Sequence, residues 1–184
     1  GVLFGGFLLT DEGPQTLEYN VRFGDPEAQV LLPRLKGDFA QACLATATGH
    51  LEDVHLEFSD KSAVCVVMAS GGYPNDYRTG YPISGLAEAA ALEGVLIFHG
   101  GTKHVDGEDG EVGTAGGRVI SVTAVGDGLL PTIEQAYRAV NEISWDGAHF
   151  RRDIAFQALH HVSQHMAGGR PRQSSRRRRT YVTA

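Results

Sequence analysis

Two cysteines, and no apolar run long enough to cross a bilayer, are the first limits this sequence sets. A membrane-spanning helix needs about 20 consecutive apolar residues, so no membrane partner is expected. Cys43 and Cys65 each sit inside apolar segments and read as small buried side chains. A disulfide framework is therefore not expected, and a reduced, cytoplasmic setting fits. The start lacks a charged region followed by a small-residue cleavage site, so no signal peptide is expected. Positive charge is scarce over most of the chain. Residues 169–184 hold six of the 16 Lys+Arg and none of the 22 Asp+Glu, which leaves 10 basic against 22 acidic residues elsewhere, a balance of -12. Nucleic-acid binding needs a positive face toward the phosphates, so it is expected only through the Arg-rich tail, if at all. There is no GxxxxGK[ST] loop, no complete dinucleotide fingerprint, and no nucleophile-elbow context around Ser70, Ser84 or Ser121.

What is present is a turn-rich globular composition of 42% apolar residues and 24 glycines in 184 residues. Its most informative stretch is Leu17-Glu18-Tyr19-Asn20-Val21-Arg22, running into Phe23-Gly24-Asp25-Pro26-Glu27. On a β-strand, Glu18, Asn20 and Arg22 share one face while Leu17, Tyr19 and Val21 share the other. Two hard oxygen donors two residues apart suit magnesium, which completes its shell with phosphate oxygens and water. An arginine further along that face can hold a phosphate or carboxylate with two hydrogen bonds. Such a pair is also ordinary on any half-exposed strand, so spacing alone leaves both readings open.

The patterning gives an α+β chain. Val2 to Thr10 is a nearly continuous apolar run of the fully buried kind, Asp11-Glu12-Gly13-Pro14 is a turn, and residues 3–10 and 15–22 form an antiparallel hairpin. A hairpin is marginal alone, and the chain opens on Gly1, so a C-terminal portion of something longer is expected. Asp25-Pro26 is a helix start, with Asp25 as cap and Pro26 in the first turn; Pro33 ends or bends that helix. A second helix is predicted from Asp38 to Thr48, with Phe39, Cys43 and Ala47 on one stripe and Gly49 at its end. Residues 49–61 are a polar connection, and the boundary is drawn after residue 50. Beyond it come strands over 63–69, 95–99 and 118–125, a short helix over 85–92, a helix carrying Ile133, Ala136, Tyr137, Val140 and Ile143, and a last helix over 154–165. His160, His161 and His165 lack cysteine or acidic partners at metal-binding spacing and read as solvated. The expected division is 1–50, 51–166 and a disordered basic tail over 167–184.

Glu18-Tyr19-Asn20-Val21-Arg22-Phe23-Gly24-Asp25-Pro26-Glu27 resembles the signature of the phosphoribosylamine–glycine ligases, or glycinamide ribonucleotide synthetases, ATP-grasp enzymes of purine biosynthesis. Further pieces agree in order: Val66 to Pro74, Phe98-His99-Gly100-Gly101-Thr102, Gly116-Gly117-Arg118-Val119, Tyr137-Arg138-Ala139, Ile143 to Gly147 and Arg151-Arg152-Asp153-Ile154. The resemblance covers roughly residues 1–160. It implies the C-terminal part of an ATP-grasp domain followed by a small α+β domain with a mainly antiparallel sheet. It implies ligation of glycine to 5-phosphoribosylamine at the expense of ATP, through glycyl phosphate. Under it, Glu18 and Asn20 hold Mg2+ or Mn2+, Arg22 stabilises the moving phosphoryl group or anchors a substrate anion, and Asp25 binds an amine or merely caps its helix. Leu17 packs on the adenine or on the core. Gly100 replaces a usual Ala, and Ala115 a more usual polar residue. The N-terminal half that would supply the phosphate-covering lid is absent, so this chain is not expected to be active alone. Two other readings stay open: a silent truncated interaction module with an anion-binding tail, and another ATP-grasp carboxylate–amine ligase.

Overall fold

The computed structural model describes residues 1–105 and 111–159. The basic tail, His160, His161, His165 and the second half of the expected last helix lie outside the described residues. The chain separates into two compact units, residues 1–61 and residues from 62 onward.

The first unit opens with the hairpin, β1 (Phe4–Thr10) and β2 (Gly13–Asn20), paired antiparallel. The register runs Phe4 opposite Asn20, Gly5 opposite Tyr19 and Gly6 opposite Glu18, then skips to Phe7 opposite Thr16. Leu17 is thus the extra residue of a β-bulge, where a strand bends and twists more strongly. Strict alternation through residue 17, as read from the sequence, does not hold. Nor is this strand pair buried: Leu3, Phe7, Leu8 and Leu9 are all exposed, Leu9 by 79%. The apolar run reads as a core strand, but the pair forms a sheet of two strands only.

After β2 the chain bends and enters α1 (Ala28–Leu31), which passes into a 3-10 turn at Leu32–Arg34 containing Pro33. The expected start at Asp25-Pro26 is corrected. That peptide bond is cis, the helix begins after Glu27, and Asp25 Oδ1 accepts from the Gln29 side chain at 2.9 Å. β3 (Leu35–Lys36) pairs with β4 (Glu57–Phe58), with the 3-10 turn Leu51–Asp53 between them. This pairing joins the polar connection to the first unit, so the compact units divide after residue 61 rather than 50.

α2 (Phe39–Thr48) has the predicted ends. Asp38 accepts a hydrogen bond from the Gln41 amide at 3.1 Å, and Gly49 takes the left-handed conformation. Its buried side is Ala42 and Ala45, not the stripe through Cys43, which is exposed. Small apolar residues lie all around this helix, so periodicity selects no single face. Cys65 is half-buried.

The second unit is built on β5 (Ser62–Ala69), β6 (Val95–His99), β9 (Arg118–Gly126) and β10 (His149–Phe150), an antiparallel sheet in the order β10-β5-β9-β6. The short pair β7 (Thr102–His104) and β8 (Val112–Thr114) forms a separate ribbon. Val64, Val66 and Met68 face Ala124, Val122 and Ile120 across the β5–β9 pair, and all six are buried. On this face lie α3 (Leu86–Ala90) and α4 (Leu129–Glu142). α4 buries Ile133, Ala136, Ala139 and Val140, the spacing of one helical face.

The turn after β10 is pinned to α4 by one hydroxyl: Tyr137 donates to the Arg151 carbonyl at 2.9 Å and accepts from the Ile154 amide at 3.1 Å. In the same turn Arg151 Nε and Nη2 meet the two Asp153 oxygens at 2.9 and 2.7 Å. The Arg151 hydrogen bonds hold the Asp153 carboxyl below the usual carboxylate range, and the Arg151 guanidinium is shifted up in turn. A carboxylate whose pKa is lower in the folded state adds stability above its unfolded value, and loses it as pH falls through the folded one. Arg151→Ala is therefore expected to raise the Asp153 midpoint toward about 3.9, read by side-chain carboxyl NMR. An unchanged midpoint would show that the pair does not persist in solution. Both groups are exposed and screened, so the effect on stability is expected to be small.

Candidate functional site

The site read from the sequence sits at the open end of the hairpin. Because the bulge falls at Leu17, the strand from Glu18 to Asn20 is regular and sends both side chains to one face. Gly6 stands opposite Glu18, and a Cβ there would lie 3.2 Å from Glu18 Cγ, so glycine gives the carboxylate stem room. Glu18 is exposed and Asn20 half-buried. Among the described residues neither side chain has a hydrogen bond or ion pair. Two uncommitted oxygen donors, one anionic and one neutral, are a donor set that suits a hard divalent cation already carrying phosphate oxygens.

The other expected residues are placed differently. β2 ends at Asn20, and Val21 and Arg22 lie in the following bend. Arg22 does not continue the strand face; it is exposed, and its Nη1 donates to the Phe23 carbonyl at 2.8 Å. A bend at this point breaks the two-residue period that grouped Arg22 with the oxygen pair. Asp25 follows in the turn before α1 and holds Gln29 rather than capping the helix. Between them Gly24 is buried, and the Glu27 carboxylate occupies the space a Cβ would need. Leu17 is 68% exposed, so it packs into no core within its own unit. On the opposite face to the oxygens, Phe7 and Tyr19 meet edge to face at 5.8 Å.

The second unit holds a cleft of about 320 Å³ that was not foreseen from the sequence. Its charged and aromatic lining is Asp76, Tyr77, Arg78, Tyr81 and Asp146. Loop sequences such as Asn75-Asp76-Tyr77-Arg78 and Trp145-Asp146-Gly147 hold the only advance signal: charges of both signs interleaved with aromatics beside glycine turns. His50, Glu52 and Asp53 also cluster closely enough to share an ion, but all three are exposed and nothing else points to a ligand there. No helix among the described residues is long and apolar enough to cross a membrane.

Comparison with known proteins follows the same division. Residues 63–157 match the family model described as phosphoribosylglycinamide synthetase, C domain, and residues 1–28 match that of the ATP-grasp (A) domain. The chain is 52% identical over 160 residues to the phosphoribosylamine–glycine ligase of Rhodopirellula baltica, across 86% of this chain and 36% of that protein. It is 46% identical over 155 residues to the ligase of Caldanaerobacter subterraneus, across 84% and 36%. Against the human trifunctional purine biosynthetic protein adenosine-3 it is 42% identical over 165 residues, 89% of this chain and 16% of that one. The crystal structure of the Thermotoga maritima phosphoribosylamine–glycine ligase superposes with a TM-score of 0.62 at 30% identity, covering 82% of this chain and 36% of that one. The chain thus spans about a third of the length of the single-function relatives it matches. It belongs to the phosphoribosylglycinamide synthetase family of ATP-grasp proteins, with an antiparallel α+β unit corresponding to that family's C domain.

Proposed function

We propose that this chain supplies the metal-holding strand and the C-terminal domain of a ligase that joins glycine to 5-phosphoribosylamine, using ATP. In the first step a glycine carboxylate oxygen takes the γ-phosphoryl group of ATP, releasing ADP and leaving glycyl phosphate. In the second, the amine of 5-phosphoribosylamine attacks the acyl carbon, inorganic phosphate departs, and the amine nitrogen gives up a proton. Glycinamide ribonucleotide results.

Glu18 and Asn20 would hold the Mg2+ or Mn2+ that accompanies the triphosphate. When bound, that ion neutralises charge on the phosphate oxygens as the phosphoryl group moves. Arg22, exposed and among the described residues engaged only with a neighbouring carbonyl, can exchange that bond for a phosphate or carboxylate oxygen. Asp25, held by Gln29, presents a carboxylate to the substrate amine. Leu17, turned outward by the bulge, offers apolar surface to the adenine. The single observation carrying this reading is the regular strand end with its two uncommitted oxygens on one face.

An exposed hairpin does not exclude water from a reacting acyl phosphate, so the remaining enclosure belongs to the other parts of the ligase. The test follows from that. This chain replaces the matching residues of the R. baltica ligase, and ADP release is measured with and without glycine and 5-phosphoribosylamine. Glycine-dependent release is expected. A chimera that folds and binds ATP yet releases no ADP on adding glycine would overturn the reading.

A further inference from the structure

The first unit buries little of its apolar surface. Among the described residues its buried side chains are those of Ala42 and Ala45, while Leu3, Phe7, Leu8 and Leu9 each expose half or more of their surface. A hairpin with no core beneath it is marginal and gains most from added strands. The two outer edges of this hairpin differ. The β2 edge carries Pro14, which has no N–H to offer, the bulge at Leu17 and the Glu18 carboxylate, three devices that blunt an edge. β1 has none of them: Phe4-Gly5-Gly6-Phe7-Leu8-Leu9-Thr10 carries no charge, no proline and no extra residue. Among the described residues no backbone hydrogen bond reaches β1 from outside the hairpin. An open, uncharged, apolar edge of this length is a template for another strand.

We infer that a second copy of this chain pairs with β1, antiparallel and edge to edge, about a two-fold axis at Phe7. The strand is complementary to itself in that arrangement. β1 runs from residue 4 to residue 10, so a symmetric pairing that uses all of it centres on residue 7. Phe7 then meets Phe7, Phe4 meets Thr10, and Leu8 and Leu9 meet Gly6 and Gly5 of the other copy, so each leucine faces a glycine. Charge selects the direction. A parallel pairing would set the acidic turn Asp11-Glu12 against its own copy, whereas the antiparallel one sends the two turns to opposite ends, roughly 27 Å apart at about 3.4 Å per residue. That is well beyond the screening length of about 8 Å at physiological salt. Area fits a small interface: Leu3, Phe7, Leu8 and Leu9, at on the order of 100 Å² apiece, together with the paired backbone reach roughly 500 Å² per copy, the low end for specific contacts. The product is a four-stranded sheet in the order β2-β1-β1-β2. Both of its outer edges are the blunted ones, so the assembly closes at two copies. This inference does not depend on the ligase reading.

The test is sedimentation of the full chain over a range of submillimolar concentrations, where a reversible dimer and nothing larger is expected. Phe7→Lys and Phe7→Glu are each expected to weaken it at least tenfold, because the axis sets each new charge against itself. An equimolar mixture of the two variants is expected to restore the dimer. Both changes also remove the contact of Phe7 with Tyr19 inside the hairpin, so a second pair of variants leaves Phe7 in place. In a Cys43→Ser background, which removes the exposed thiol, Phe4→Cys and Thr10→Cys chains are oxidised singly and mixed. Cross-linking is expected in the mixture and in neither chain alone, since residue 4 meets residue 10 of the other copy. A monomer at every concentration overturns the proposal, as does a dimer unchanged by both Phe7 variants. Cross-linking that is absent from the mixture, or equally strong in either chain alone, overturns it too. A Lys and Glu mixture that stays monomeric removes the axis from Phe7 and has the same consequence. Capture of the remaining part of the R. baltica ligase, supplied as a separate polypeptide, by a chain that is monomeric by itself would assign the edge to that partner and not to a second copy.

Discussion

Glu18→Ala in the chimeric ligase is expected to lower glycine-dependent ADP release at least a hundredfold. Metal-assisted charge stabilisation is worth several kcal/mol in phosphoryl transfer, and about 3 kcal/mol corresponds to two powers of ten in rate. The loss falls on the chemical step because the ion is needed most where charge is moving. Part of the rate is expected to return as Mg2+ is raised, since Asn20 still offers an oxygen. Asn20→Ala removes the neutral donor only and is expected to cost less. Glu12→Ala, an equally exposed acid in the turn of the same hairpin, is the control, with an expected rate near that of the unaltered protein. A Glu18→Ala chimera with ordinary activity would mean that the carboxylate decorates a surface strand and holds nothing.

Gly85→Ala is expected to destabilise the second unit by roughly 3 kcal/mol or more. Two costs combine. Gly85 has φ +82°, where a side chain costs about 1 to 2 kcal/mol. Its Cβ would also run into the Glu142 carbonyl at the end of α4 and lie 3.3 Å from Ile143 Cα. Overpacking of this kind typically adds about 1 to 3 kcal/mol. The backbone has little freedom to retreat, because Ser84 and Ser144 exchange hydrogen bonds of 3.0 and 3.1 Å immediately beside it. Against a total domain stability of roughly 5 to 15 kcal/mol, this is a large fraction. Gly80 separates the two costs, for its φ is +94° but nothing lies within 4 Å of an added Cβ. Urea unfolding followed by Trp145 fluorescence should show Gly80→Ala near 1 kcal/mol and Gly85→Ala far beyond it. Equal losses in the two variants would remove the close approach from the account.

Much of this fold is legible because the sequence marks its ends as well as its periods. Asp38 and Gly49 bracket α2 chemically, and the apolar runs from Val64 to Ala69 and from Val95 to Phe98 have no competing reading. The misreadings along β2 share one origin: period counting assumes that a strand stays regular. The bulge at Leu17 and the bend at Val21 both break the period, and neither carries a Gly or Pro to announce it. Glu18 and Asn20 survive as a pair because they fall between the two irregularities, whereas Arg22 falls beyond them. Burial fails for a different reason. An apolar run shows that a strand avoids water, not which surface covers it, and Leu8 and Leu9 are exposed within their own unit. The charged cleft was illegible because Arg78 and Asp146 come from turns far apart in the chain, brought together by the β5–β10 pairing and the Gly71–Gly147 contact beside it.

The most direct test of the oxygen pair uses Mn2+ with ATP as a paramagnetic probe of the chimera carrying isotope label in these residues. Broadening is expected to centre on Glu18 and Asn20, to spare the His50, Glu52 and Asp53 cluster, and to vanish in a Glu18→Gln, Asn20→Ala double variant. Broadening centred on that cluster instead, or undiminished in the double variant, would contradict the placement of the ion on β2.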